Sequence, residues 1–234
     1  CRRAFELDEN REYFIRTGTH SSKFDFRNAH VVGAKEVREI GEYLLFIHNQ
    51  GLCYAGFGNS PAIYGMATTN EWAVREFIPD KEHNPTIYKG LPLRTEIRAF
   101  VDLDKKKVIG IAPYWDPDTM KHRFAGCEDR NDPDMLHDYT IYRMQEELLM
   151  SRYEKYKDEV REALESMLPE LRLSGQWSLD VMLNGVDKNG KTEVYIIDMA
   201  LAQNSALTQY VSKRLLNPAE EINWIPDFSE KTGM

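Results

Sequence analysis

Trp177-Ser178-Leu179-Asp180-Val181-Met182-Leu183-Asn184-Gly185-Val186-Asp187-Lys188-Asn189-Gly190-Lys191-Thr192-Glu193-Val194-Tyr195-Ile196-Ile197-Asp198-Met199 decides the fold. Gly185 to Thr192 fits the phosphate-loop pattern G-x-x-x-x-G-K-[ST]. That pattern cradles phosphate only when the loop feeds a helix, whose first N–H groups face the anion. Here Glu193 to Ile197 follows, β-branched and aromatic, and Leu179 to Leu183 precedes it in the same character. Both read as strand. Asp187-Lys188-Asn189-Gly190 is then a hairpin turn, with Gly190 supplying the positive φ. Trp177 to Asn184 and Glu193 to Met199 are the two strands, and the phosphate-loop reading is rejected.

The hairpin brings two carboxylates together. Asp180 lies near the middle of one strand and Asp198 at the end of its partner, each among apolar neighbours. Two acids beside a core are costly unless a cation neutralises them. Magnesium accepts one or two protein carboxylates and completes its shell with phosphate oxygens and water. The other reading is a pair of strand-edge aspartates facing solvent.

Outward from this hairpin, Tyr13 to Thr17 alternates as a strand, followed by a polar loop from Gly18 to Lys23. From Ala34 to His48, Val37, Ile40, Tyr43, Leu44 and Ile47 recur at helical spacing, and Asn49 to Gly51 is expected to stop the helix. Glu71 to Ile78 reads as a strand ended by Pro79-Asp80. Thr95 to Asp102 and Val108 to Pro113 form a hairpin, its lysines Lys105 to Lys107 a solvated turn. Asp116 to Pro133, rich in Asp, Pro and Gly, reads as loop or lid. Asp138 to Leu168 is helical, as two helices or one, its Tyr and Met positions facing a core, and Pro169 ends it. The tail from Ala206 reads as a short helix and irregular chain. The whole is α+β, antiparallel sheets with packed helices.

Composition narrows the function classes. Of 234 residues, 42% are apolar, which allows a sizeable core. The formal charge of -8 argues against a broad nucleic-acid face. No apolar run reaches the roughly 20 residues of a membrane helix, and no signal-peptide pattern opens the chain. Cys1, Cys53 and Cys127 are widely spaced and form neither a metal pattern nor an even disulfide framework, which points to a reducing, cytoplasmic compartment. The chain opens on Cys1 rather than Met, and the natural protein is expected to extend upstream.

Two further groups could bind an anion. Arg16 on the first strand precedes Thr17-Gly18-Thr19-His20-Ser21-Ser22-Lys23, where hydroxyls, a glycine and a lysine make a phosphate clamp or an ordinary polar turn. In Thr95-Glu96-Ile97-Arg98-Ala99-Phe100, Glu96 and Arg98 point to one side of a strand. Arg98 could grip a phosphate in bidentate fashion, or form a same-face ion pair.

In this order, the segments Phe14-Ile15-Arg16 through Ser21-Ser22-Lys23, Val74-Arg75-Glu76-Phe77-Ile78, Glu96-Ile97-Arg98-Ala99-Phe100, Trp177 to Leu183 and Ile196-Ile197-Asp198 resemble the ATP-grasp superfamily. They are similar to its eukaryotic assembly chaperones for translation initiation factor two. They are also similar to a bacterial and phage clade in which an arginine replaces the first nucleotide-contacting lysine. The resemblance spans about residues 13 to 205 and implies an ATP-grasp fold with the nucleotide between two subdomains, 1–78 and 79–234. It implies that Arg16 lies near the phosphates and Lys23 on the loop that covers them. The backbone of Glu76, Phe77 and Ile78 would meet the adenine edge, with Glu96 beside the nucleotide. Arg98 would face the terminal phosphate, making Arg98 and Lys23 the catalytic cations. Asp180 and Asp198 would bind Mg2+. The family's usual Asn two residues after the last acid is Ala200 here, so Asn204 or Gln203 would have to supply that oxygen. The resemblance also implies that the upstream lobe common in these enzymes would be missing here.

The resemblance implies an ATP- and magnesium-dependent ligase that activates a carboxylate as acyl-phosphate for attack by an amine or other nucleophile. Its acceptor would be an unknown small molecule, peptide or protein. A binding protein or assembly chaperone that holds ATP without ligating is the alternative, favoured by Ala200. RNA end-joining through a lysyl-nucleotide lacks its K-x-D-G motif.

Overall fold

The computed structural model describes residues 1–18, 20–57, 71–126 and 132–218, with the backbone alone for 54–57. The expected loop member Thr19, the third cysteine Cys127 and the tail from residue 219 lie outside the described residues. In chain order the strands are β1 (Tyr13–Thr17), β2 (His30–Val31), β3 (Trp72–Glu76), β4 (Thr86–Ile87), β5 (Leu91–Pro92), β6 (Glu96–Asp102), β7 (Lys107–Pro113), β8 (Gln176–Val186) and β9 (Thr192–Leu201). The α-helices are α1 (Gly33–Arg38), α2 (Ile40–Phe57), α3 (Pro117–Arg123) and α4 (Pro133–Met167). Among the described residues all strand pairings are antiparallel, and the fold is α+β. The chain divides into two compact units, Cys1–Arg94 with Phe124–Glu147, and Thr95–Arg123 with Leu148–Met234.

The first unit holds the sheet β2-β1-β3 and the small pair β4-β5. Its core joins Ile15 and Val31 to the α-helical stripe Val37, Ile40, Leu44 and Ile47. The expected single helix is two. Glu39 caps α1, its N–H bonded to Lys35 O at 3.1 Å, and α2 begins at the next residue. The expected stop at Asn49 to Gly51 does not occur, and α2 runs on to Phe57. A glycine inside a helix costs about 1 kcal/mol, and α2 takes Gly51 in at a buried position.

The second unit is built on the sheet β7-β6-β8-β9. Ile97, Ala99 and Val101 of β6 and Leu179, Val181 and Leu183 of β8 share one face. Tyr153, Val160 and Leu164 of α4, with Leu168 just beyond, close over that face. The helical segment expected from Asp138 is one helix of 35 residues that starts at Pro133. Of its Tyr and Met positions, Tyr142 and Tyr153 are buried as expected and Met144 is exposed.

The Asp116 to Pro133 segment is not wholly loop. Asp116 Oδ1 accepts the Thr119 N–H at 2.8 Å and Pro117 opens α3, an N-cap followed by proline at the first helical position. Among the described residues after Ala206 stands one 3-10 turn, Thr208–Tyr210, preceded by another at Ala202–Asn204. Among the described residues, no helix is long and apolar enough to cross a membrane.

Candidate functional site

The sheet face opposite α4 is polar. Strand alternation sends Gln176, Ser178, Asp180, Met182 and Asn184 of β8 to this side, and Glu96, Arg98, Phe100 and Asp102 of β6 with them. Glu96, Asp102, Gln176, Ser178, Asp180 and Asn184 are all buried. Burying polar groups without partners is unfavourable, so so dense a set needs either internal bonds or a ligand.

At one end the bonds are internal. Gln176 Nε2 donates to Asp102 Oδ2 (3.1 Å) and Leu215 O (2.7 Å), and its Oε1 accepts the Asn217 N–H (2.8 Å). Lys105 Nζ completes Asp102 at 2.8 Å. Beside them, Phe100 and Ala112 are covered by Ala202, Leu207 and Val211. This end holds the chain that follows β9.

The middle of the face carries the charge. Ladder pairing aligns Ala112, Arg98, Asp180 and Asp198 in one row across four strands. The expected meeting of Asp180 and Asp198 is therefore direct. It depends on a bulge: Val181 faces Ile196 and Asp180 faces Asp198, so Ile197 is an extra residue. Asp198 Oδ1 accepts the Met199 N–H at 3.0 Å.

Arg98 is tied into the same row. Its Nε lies 2.7 Å from Asp180 Oδ1 and its Nη2 2.8 Å from Oδ2, a bidentate pair. Its Nη1 donates to Ala206 O at 3.3 Å, and its guanidinium carbon lies 5.5 Å from the Tyr114 ring centre. Burial opposes the Arg98 charge, but the hydrogen bonds and charge of Asp180, with Tyr114 and Asp198, raise its pKa well above the ordinary guanidinium value. Arg98 thus forms an ion pair across the ladder, with Asp180 as its partner. Glu96 sits one alternation away, opposite Met182.

Ala200 faces Ser178 across the ladder. Ser178 Oγ is 2.6 Å from Ser205 Oγ, which also donates to Leu201 O at 2.9 Å. These hydroxyls fold the turn containing Gln203 and Asn204 back beside β8, one residue before the Ala206 carbonyl that meets Arg98.

In the first unit, Arg16 pairs with Ala73 in the sheet, and its Nε donates to Thr17 O at 3.2 Å. The loop after it is packed. Thr17, His20 and Ser22 are buried. His20 N–H donates to Thr17 Oγ1 at 2.9 Å, and Gln50 Oε1 of α2 receives Ser22 Oγ at 2.6 Å and lies 3.3 Å from His20 Nε2. Burial, and next to it Arg16, push the His20 pKa down against the opposing Gln50 bond. Lys23 opens a short 3-10 helix, its Nζ 5.6 Å from the Phe24 ring centre.

Glu76 ends β3 and pairs with Tyr13, while Phe77 N–H donates to Glu12 O at 2.8 Å. Backbone alternation then turns the Glu76 and Ile78 groups to the other edge of β3. There Ile78 O accepts from Arg94 Nη2 at 2.6 Å. Phe77 stacks on His30 with ring centres 3.8 Å apart.

The candidates thus form two groups, Arg16, Lys23 and Glu76 to Ile78 in the first unit, and Glu96, Arg98, Asp180, Asp198 and Asn204 in the second. Sequence reasoning missed Ser178, Asn184 and Ser205, although the polar alternation of Gln176, Ser178, Asp180 and Asn184 against Trp177, Leu179, Val181 and Leu183 carries the signal. It also missed Tyr114, Arg94 and Gln50, which act at long sequence separation. Among the described residues, no cluster of three or more His, Cys, Asp or Glu side chains is placed to hold a metal. Two carboxylates in one row still match the donor set magnesium accepts when phosphate supplies further oxygens. No known protein family, curated protein or solved structure matches the chain.

Proposed function

We propose that the polar face of the second unit binds the phosphates of a magnesium nucleotide, in the manner of an ATP-grasp protein. The observation that supports this is the row Arg98, Asp180, Asp198, two acids and a guanidinium set side by side on a buried sheet face. Asp180 and Asp198 face each other in that row, two carboxylates of the kind that magnesium takes as oxygen ligands. Asp180 and Asp198 are the residues that would hold the metal. Held by these two carboxylates, magnesium would offset the charge of the phosphates. Arg98 contributes a bidentate grip on the terminal phosphate, and Tyr114 and Ala206 O hold its guanidinium in place. Burial excludes water and strengthens each of these interactions.

The reaction class that uses such a face without a protein nucleophile is carboxylate activation. The terminal phosphoryl group passes to a carboxylate, giving an acyl-phosphate that an amine attacks. The protein's share is positioning and charge neutralisation. Release of ADP and phosphate that rises when a candidate carboxylate and amine are added together is the expected result. Ala200 supports the second reading, a nucleotide-dependent binding protein or assembly chaperone, because it gives β9 no side-chain oxygen opposite Ser178. Tight Mg·ATP binding with no turnover across a broad substrate panel selects that reading. No Mg·ATP binding at all overturns both.

A further inference from the structure

The Arg98–Asp180 pair bears on how metal and nucleotide reach this face. Both Asp180 oxygens receive Arg98 donors, at 2.7 and 2.8 Å, and both side chains are largely buried, with 7% of the Asp180 and 15% of the Arg98 side-chain surface exposed. The third donor, Nη1, points at Ala206 O at 3.3 Å. A divalent cation at Asp180 would therefore lie against a guanidinium already in contact with the same carboxylate, and like charges at that range repel strongly in a buried setting. A phosphate approaching Arg98 meets the converse obstacle, because its two best-aligned donors are held by Asp180 and because Asp180 and Asp198 add negative charge beside it.

We infer that magnesium and nucleotide phosphate are admitted jointly, by splitting the Arg98–Asp180 pair: the cation takes Asp180 and the phosphate takes Arg98. This rests on the nucleotide reading above. Each ligand removes the other's obstacle, so the coupling is positive and reciprocal. Neither the bare cation nor the bare nucleotide has a replacement for the partner it displaces, and removing one member of a buried pair leaves the other uncompensated. The site discriminates the metal–nucleotide complex from either component. Asp180 is then both ligand and lock: it keeps Arg98 from free anions until a cation arrives.

The test separates this coupling from ordinary metal ligation. In the intact chain, the Arg98 Nε–H signal is assigned by its loss in Arg98→Lys and followed by nitrogen-correlated NMR. It is expected to hold its position with magnesium chloride alone and with AMP-PNP in excess EDTA, and to shift with Mg·AMP-PNP. In Asp180→Asn, whose amide no longer holds Arg98 by charge, AMP-PNP in EDTA is expected to bind about tenfold or more tighter than to the wild type, while the enhancement by magnesium disappears. An Arg98 signal that stays fixed when Mg·AMP-PNP is bound overturns the coupling. So does an Asp180→Asn protein that folds and gains nothing for metal-free AMP-PNP. If Asp180→Asn does not fold, the wild-type signal decides alone. A wild type that binds no Mg·AMP-PNP sinks the nucleotide reading itself, an outcome distinct from binding without the shift.

Discussion

Arg98 has two kinds of neighbour, and they predict different losses. Its pairing with buried Asp180 makes it structural: Arg98→Met leaves an uncompensated buried carboxylate and should cost about 3–5 kcal/mol, read as a lowered urea midpoint. Asp198 is less buried and lies outside that bidentate contact. Asp198→Asn should therefore lower the urea midpoint less than Arg98→Met does, while abolishing magnesium-dependent ATP binding; calorimetric binding as tight as the wild type's would remove Asp198 from the site. His20 gives a pH prediction for the first unit. Its folded pKa lies below its ordinary value of about 6.5, because burial disfavours the charged ring. The stability it contributes is full above about pH 6.5 and falls as pH drops through the lower folded value. His20→Gln keeps a side chain able to bond Gln50 without titrating, so its melting temperature should fall less than the wild type's between about pH 7 and pH 5. Equal slopes would show that His20 does not titrate in this range.

Elements were legible where local pattern and burial agree. The β8–β9 hairpin is one: Val186 pairs with Thr192, Gly190 has φ +79°, and the Asp187 carboxylate accepts the Asn189 and Lys191 N–H groups. Thr192→Ala, in the rejected phosphate-loop match, should leave nucleotide affinity within about twofold of the wild type, since it sits in a strand ladder with no helix terminus to face a phosphate. A large loss in a nucleotide titration would revive the loop. Elements were illegible where a general signal was outweighed. Asn49 and Gly51 read as a stop, yet α2 runs through them, with Gly51 buried and the intervening Gln50 accepting from Ser22 of the loop after β1. Asp116-Pro117 reads as loop but is a helix start, because the same residues that break an element also begin one. Gly110 shows a constraint that no local pattern reveals. A Cβ there would lie 2.6 Å from Val211 Cγ2 and 3.1 Å from Tyr210 O, where the tail crosses β7. Gly110→Ala should destabilise the second unit by roughly 1–3 kcal/mol, measured by denaturant unfolding.

At the scale of the molecule, the α+β class and its antiparallel sheets follow from strand and helix order, whereas the division into units does not. Residues 124–147 belong with the first unit and 148–167 with the second, so α4 serves both, and no composition shift marks that point. The candidate site was half legible for the same reason. Asp180 and Asp198 are close in sequence and joined by a turn, while Arg98 reaches them through sheet register, Tyr114 from just beyond β7 and Ala206 from the turns after β9. One residue governs that register. With strict alternation from Ile196, the side of β9 that carries Ile196 would carry Asp198 and Ala200 as well. Ile197 resets the phase, so Met199 and Leu201 oppose the core-facing Leu179 and Trp177, and Asp198 opposes Asp180. The metal-binding capacity proposed for this strand thus hangs on a parity, not on a residue type. Deleting the Ile197 codon would leave the carboxylate opposite Asp180 in a regular ladder, whereas straightening the strand with Ile197 kept would preserve every acid in the protein and still turn Asp198 toward the oil, opposite Leu179, an inactivation that a residue-by-residue comparison of compositions would never register.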